Sequence, residues 1–164
     1  MDARLNLFDN PTAGKMLKYI TSAGKVITDS TLPAATQQLV ALRASQINGC
    51  GFCTDMHTKD AAHAGETSTR LNLVAAWREA NVFTDAERTA LELAEQGTRI
   101  ADAAGGVTDE AWANVAKHYD ERAIDAASGG QFRNFGIHAA LFHIIRAAGR
   151  EPSNFRVGND TIRE

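Results

Sequence analysis

An all-α fold is what this sequence predicts, and three observations carry the expectation. Apolar residues recur three and four apart, as in Leu39, Val40, Leu42 and Ile47 or Leu91 and Ala94. Alanine-rich stretches are common and β-branched runs are few. Residues that cap helices stand ahead of the periodic segments. A chain of 164 residues has the length of one domain, and such a domain buries roughly 70% of its unfolded surface. We therefore read residues 1–164 as a single unit whose chemistry-bearing core spans about 32–105.

Each element has its own justification. Pro33 followed by Ala34 and Ala35 suits a first helical turn, and the apolar spacing carries that helix to Gln46 or Ile47. Asn48-Gly49 breaks it, and a second helix is expected from near Cys50 to Gly65, a good left-handed cap residue. The result is helix, tight turn, helix, with two cysteines at the second N-terminus. Thr67 or Ser68 would cap a helix running through Glu79, with Leu71, Val74, Ala75 and Trp77 on its apolar side. Asn81-Val82-Phe83 reads as a connection. Thr84 and Glu87 form a capping box that opens a long helix ending before Gly105-Gly106. Thr108, with Asp109 and Glu110 in the first turn, starts another that carries Trp112, Val115 and Tyr119. A short piece leads to Ser128. A last helix is expected from about Gln131 to Ala148, apolar on several sides, which implies cover from more than one neighbour and hence self-association.

Charge narrows the function. The 17 basic and 20 acidic residues give a formal charge of -3, with no basic stripe for nucleic acid and no polybasic segment for a membrane surface. Neither partner is expected. Position two is acidic, no signal-type apolar run follows, and no eighteen apolar residues run together, so a cytoplasmic location is expected. Two cysteines three positions apart do not make a secreted disulfide framework; in a reducing compartment such a pair is catalytic, redox-sensing or metal-binding.

Cys50, Cys53 and His57 stand in the run Cys-Gly-Phe-Cys-Thr-Asp-Met-His. On a helix, positions three, four and seven apart share a face, so both sulfurs and the imidazole line one stripe. A helix N-terminus and a nearby imidazole are what favour the reactive thiolate. A structural zinc site needs four ligands, whereas this run offers three, and His63 points elsewhere on the helix. No metal and no cofactor are expected. A thioredoxin-type reading would need strands around the motif, which the pattern lacks. Other candidates take plainer readings. His138 and His143 read as buried or interface residues, His63 and His118 as surface, and Trp77 and Trp112 as core or interface. Asp55 reads as structural.

The stretch from Gln38 through Cys50, Cys53 and His57 to Ala61 resembles the core of the alkylhydroperoxidase D family, within the carboxymuconolactone decarboxylase-like superfamily. Ala76-Trp77-Arg78-Glu79 and Phe83-Thr-Asp-Ala-Glu-Arg look like its continuation, while the part from Asp120 onward fits less well. The resemblance implies an all-helical fold, a site on a helical hairpin, and homo-oligomers, commonly trimers or hexamers. It implies a thiol-dependent peroxidase in which Cys53 attacks a hydroperoxide, Cys50 resolves the sulfenic acid and His57 relays protons, with a reducing dithiol or redox protein as donor. In the family motif a glutamate stands where this chain has Gln38. Glutamine cannot exchange a proton near neutral pH, so a water, or a carboxylate such as Glu87, Glu92 or Glu95, would have to serve instead. The alternatives are a non-enzymatic redox or zinc sensor using the same cysteines and, further off, a lactone decarboxylase, whose known members lack the cysteine pair.

Overall fold

The computed structural model describes residues 9–99, 102 and 105–128, and every regular element among them is helical. The expected last helix, with His138 and His143, lies outside these residues.

Helix α1 (Pro11–Thr28) was not anticipated by the spacing. Asn10 caps it by accepting from the Thr12 and Ala13 N–H groups at 3.0 and 3.2 Å, with Pro11 in the first turn. Most of its surface is exposed, including Met16, Tyr19 and Val26, and Ile27 at its end joins the core.

Helices α2 (Ala34–Ile47) and α3 (Gly51–His63) pack against each other and are joined by a turn of three residues. Gly49 adopts φ 66°, which lets Cys50 N–H reach the Ser45 carbonyl at 3.1 Å and Gly49 N–H reach that of Gln46 at 3.1 Å. This paired closure satisfies carbonyls that a helix end leaves open. The far end of α3 closes the same way at Gly65, with Glu66 N–H on the Ala61 carbonyl at 3.0 Å.

The next helix is shorter than its sequence suggests. Thr67 caps α4 (Ser68–Leu73), but a 3₁₀ turn replaces the α-helix at Val74–Ala76, and Ala75 is exposed. Beyond that turn the Arg88 guanidinium donates to the carbonyls of Trp77, Ala80 and Arg78 at 3.0, 2.6 and 2.6 Å, which satisfies acceptors the chain leaves open there. Trp77 is buried.

Thr84 and Glu87 make the expected capping box at the start of α5 (Asp85–Thr98). That helix also ends early, because Arg99 bends into a turn and pairs with Asp102 at 3.1 Å. Thr108 caps α6 (Asp109–Val115), which stops before Tyr119; Trp112 on it is 49% exposed and so is not a core residue of this chain. Asp120 accepts from Thr31 Oγ1 at 2.7 Å and from Ala123 N–H at 2.8 Å, opening a helical segment over 121–128.

Helix α5 is the spine, packing against α2 and α6. Its Leu91 joins Leu39, Leu42, Ala61, Val74 and Trp77 in one apolar cluster, and its Leu93 joins Leu32, Val115 and Ile124 in a second. Burial of these side chains, each worth about 1.5–3 kcal/mol for a large aliphatic residue, fixes α2 and hence the hairpin. No helix of the described residues is long and apolar enough to cross a membrane.

Candidate functional site

The site is built at the start of α3. Cys50 is the residue before the first helical turn, in extended conformation, and its sulfur accepts from the Cys53 N–H at 3.2 Å. Ser, Thr, Asp or Asn normally fill this position; here a sulfur does. The first-turn N–H groups and the helix dipole bring positive potential to that sulfur. Cys50 and Cys53 are joined by a disulfide with their Cα atoms 5.4 Å apart.

One turn further on stands His57. Cys50, Cys53 and His57 are 4%, 2% and 3% exposed, and Ala61, fully buried, continues the same stripe into the core. The one-face arrangement expected from the spacing is therefore present, and it faces inward. Gly51 is exposed and Phe52, Thr54, Asp55 and Met56 are partly so, while the two cysteines between and beside them are buried.

Across the hairpin, Gln38 of α2 brings its Oε1 within 3.1 Å of His57 Nδ1. This is the amide at the position of the family glutamate. The carboxylates considered as substitutes have other partners. Glu87 closes the α5 cap and pairs with Arg70 at 2.5 Å; Glu92 pairs with Arg78 at 3.4 Å. Glu95 is buried, at 9% exposure, and accepts from Trp77 Nε1 at 2.9 Å and from Arg43 at 2.7 and 3.0 Å, with Arg78 at 3.6 Å from its other oxygen. Burial works to raise the Glu95 pKa; the hydrogen bonds from Trp77 and Arg43 and the charges of Arg43 and Arg78 outweigh it and hold the carboxyl below its usual range. Trp77 is enclosed further by Arg78, 4.3 Å from its ring centre.

Asp55 pairs with Lys59 at 2.7 Å on the exposed side of α3, in keeping with a structural role. His63 and His118 are exposed, as expected. Spacing alone did not point to the Arg43–Glu95–Trp77 cluster; the signal available was an arginine and a tryptophan on helices that both had to pack against α5.

A family model of the carboxymuconolactone decarboxylase family matches residues 15–96. The chain belongs to that family. Among its relatives, this carboxymuconolactone decarboxylase family member is 37% identical over 121 residues to the uncharacterized protein YdfG of Bacillus subtilis, spanning 74% of this chain and 80% of that one. It is 34% identical over 95 residues to the uncharacterized protein YnjA of Escherichia coli, spanning 58% of this chain and half of that protein. Among solved structures, a protein of unknown function from Agrobacterium tumefaciens, put forward as the antioxidant-defence protein AhpD, superposes with a TM-score of 0.76 at 27% identity, over 92% of this chain and 100% of that one. The debrominase Bmp8, in complex with 2,3,4-tribromopyrrole, shares the fold alone, with a TM-score of 0.62 at 16% identity over 79% of this chain and 64% of that one. The family's all-helical architecture and the alkylhydroperoxidase D likeness read from the motif thus stand together.

Proposed function

We propose that this protein is a thiol-dependent peroxidase that reduces hydroperoxides through a Cys50/Cys53 dithiol–disulfide cycle, with His57 moving the proton. The observation that carries the reading is the single stripe on α3, where a disulfide at the helix start is followed one turn later by a buried imidazole. The likeness to the Agrobacterium protein put forward for antioxidant defence supports the same reading.

In the reduced protein, the Cys53 thiol yields its proton to His57. Its thiolate attacks the distal oxygen of a hydroperoxide; the O–O bond breaks, Cys53 becomes a sulfenic acid, and the leaving alkoxide takes a proton to depart as an alcohol. Cys50 then condenses with the sulfenic acid, expelling water and forming the disulfide. Two electrons have passed from the thiols to the peroxide. An outside dithiol, either a small molecule or a redox protein, reopens the disulfide by thiol exchange and is itself oxidised. A resolving thiol three residues away traps the sulfenic acid before further oxidation. Phe52, which stands between the two cysteines in the sequence, would add an apolar wall suited to organic hydroperoxides. The unit would work in the cytoplasm as a homo-oligomer, a trimer or a hexamer.

The test is hydroperoxide consumption with a small dithiol as donor. Cys53→Ser should abolish it, and Cys50→Ser should leave one oxidation per chain without turnover. Undiminished consumption by Cys53→Ser would overturn the assignment, and stoichiometric zinc in freshly purified protein would favour a sensor instead.

A further inference from the structure

The geometry points to Gln38 as a positioning residue that keeps the His57 ring proton on Nδ1 and so presents Nε2 as the nitrogen that takes and returns the catalytic proton. The inference rests on the peroxidase reading for its consequence, although its physical content is independent of activity. Gln38 Oε1 lies 3.1 Å from His57 Nδ1. A carbonyl oxygen has no proton to give, so in this pair the ring nitrogen donates and the amide accepts. In a neutral imidazole only one nitrogen carries hydrogen. Fixing it on Nδ1 leaves Nε2 with a lone pair.

Both partners are held in place. His57 is 3% exposed and rests on the same buried stripe as Cys53 and Ala61, while α2, which carries Gln38, is anchored by Leu39 and Leu42 in the core. A ring so confined cannot change tautomer without rotating or finding a new acceptor for its proton.

The consequence is a proton route that begins and ends at one atom. A carboxylate in place of Gln38 would be able to accept the Nδ1 proton and pass charge onward; an amide is not. His57 Nε2 therefore takes the proton from the Cys53 thiol as the thiolate forms, becoming imidazolium. It then delivers that same proton to the alkoxide released when the O–O bond breaks, and returns to the neutral ring with hydrogen still on Nδ1. Nothing is gained or lost by Gln38 in the cycle.

The experiment is two-bond proton–nitrogen correlation on protein labelled with ¹⁵N-histidine, at a pH where imidazole is neutral, in the oxidised and the reduced forms. The His57 signals are assigned by their loss in His57→Asn, and the exposed His63 and His118 serve as internal references. His57 should show a protonated Nδ1 and a bare Nε2. Gln38→Leu should lose that pattern, and Gln38→Glu, which keeps an acceptor, should retain it. Turnover should fall about tenfold in Gln38→Leu, less than the 10²–10⁴ that loss of the acid–base group itself would remove, and recover in Gln38→Glu. A protonated Nε2 in the unaltered protein, or an unchanged tautomer in Gln38→Leu, would overturn the inference. So would a changed tautomer with unchanged turnover. If Cys53→Ser consumes hydroperoxide normally while His57 keeps Nδ1 protonated, the peroxidase reading fails and the tautomer assignment stands.

Discussion

Thr84 and Glu87 show how much one residue spacing can reveal. The Thr84 Oγ1 accepts the Glu87 N–H at 3.3 Å and the Glu87 carboxylate accepts the Thr84 N–H at 2.8 Å, a reciprocal pair readable from the sequence because both partners lie within one turn. Replacing Thr84 by Ala should cost about 1 kcal/mol, measured by denaturant unfolding. Gly65 is legible for a similar reason. With φ 96° and open space where a Cβ would go, Gly65→Ala should meet no clash and should still lose about 1 kcal/mol to backbone strain. The contact between Gln38 and His57 was less accessible. Nineteen residues separate the two, and only the angle between α2 and α3 decides that their side chains meet.

Elements were legible where local chemistry rules and illegible where distant side chains do. The helix–turn–helix at residues 34–63 followed from Pro33, Asn48-Gly49 and Gly65, all acting within a few residues. The closure that follows the 3₁₀ turn depends on Arg88, which lies on another helix and cannot be weighed by counting apolar positions. Arg88→Met would keep the apolar stem and strip three carbonyls of their donor. It should cost about 2 kcal/mol, since hydrogen bonds to a charged group contribute roughly 1.5–3, and amide hydrogen exchange should quicken over 74–80. Helix α1 escaped the reading because its apolar residues are interleaved with Gly14, Gly24, serine and threonines, and few of them are buried.

At the scale of the molecule, the two apolar clusters meet on α5, and the same helix carries the buried Glu95 that binds Arg43 of α2. Glu95, one of the carboxylates the sequence offered in place of the family glutamate, faces Trp77 and two arginines and so clamps α5 to α2. Glu95→Gln should leave Arg43 without its counter-charge and cost about 3 kcal/mol, the scale for breaking a buried pair. The pH dependence follows from the same contact. Glu95 and Glu87 titrate below their reference value of 4.5 in the folded protein, so their stabilisation is whole above that value and fades as pH falls through the lower folded pKa. Thermal unfolding followed from pH 6 downward should show an acid-side loss that is smaller in Glu95→Gln than in the unaltered chain.

Cys50 closes α3 with one of the two sulfurs of the disulfide, so the start of the helix and the bridge share a single atom. Serine there would preserve an acceptor for the helix start while removing the sulfur, whereas alanine would remove both. Neither variant can form the bridge, so melting the two side by side reads what the cap alone contributes, and alanine should melt lower.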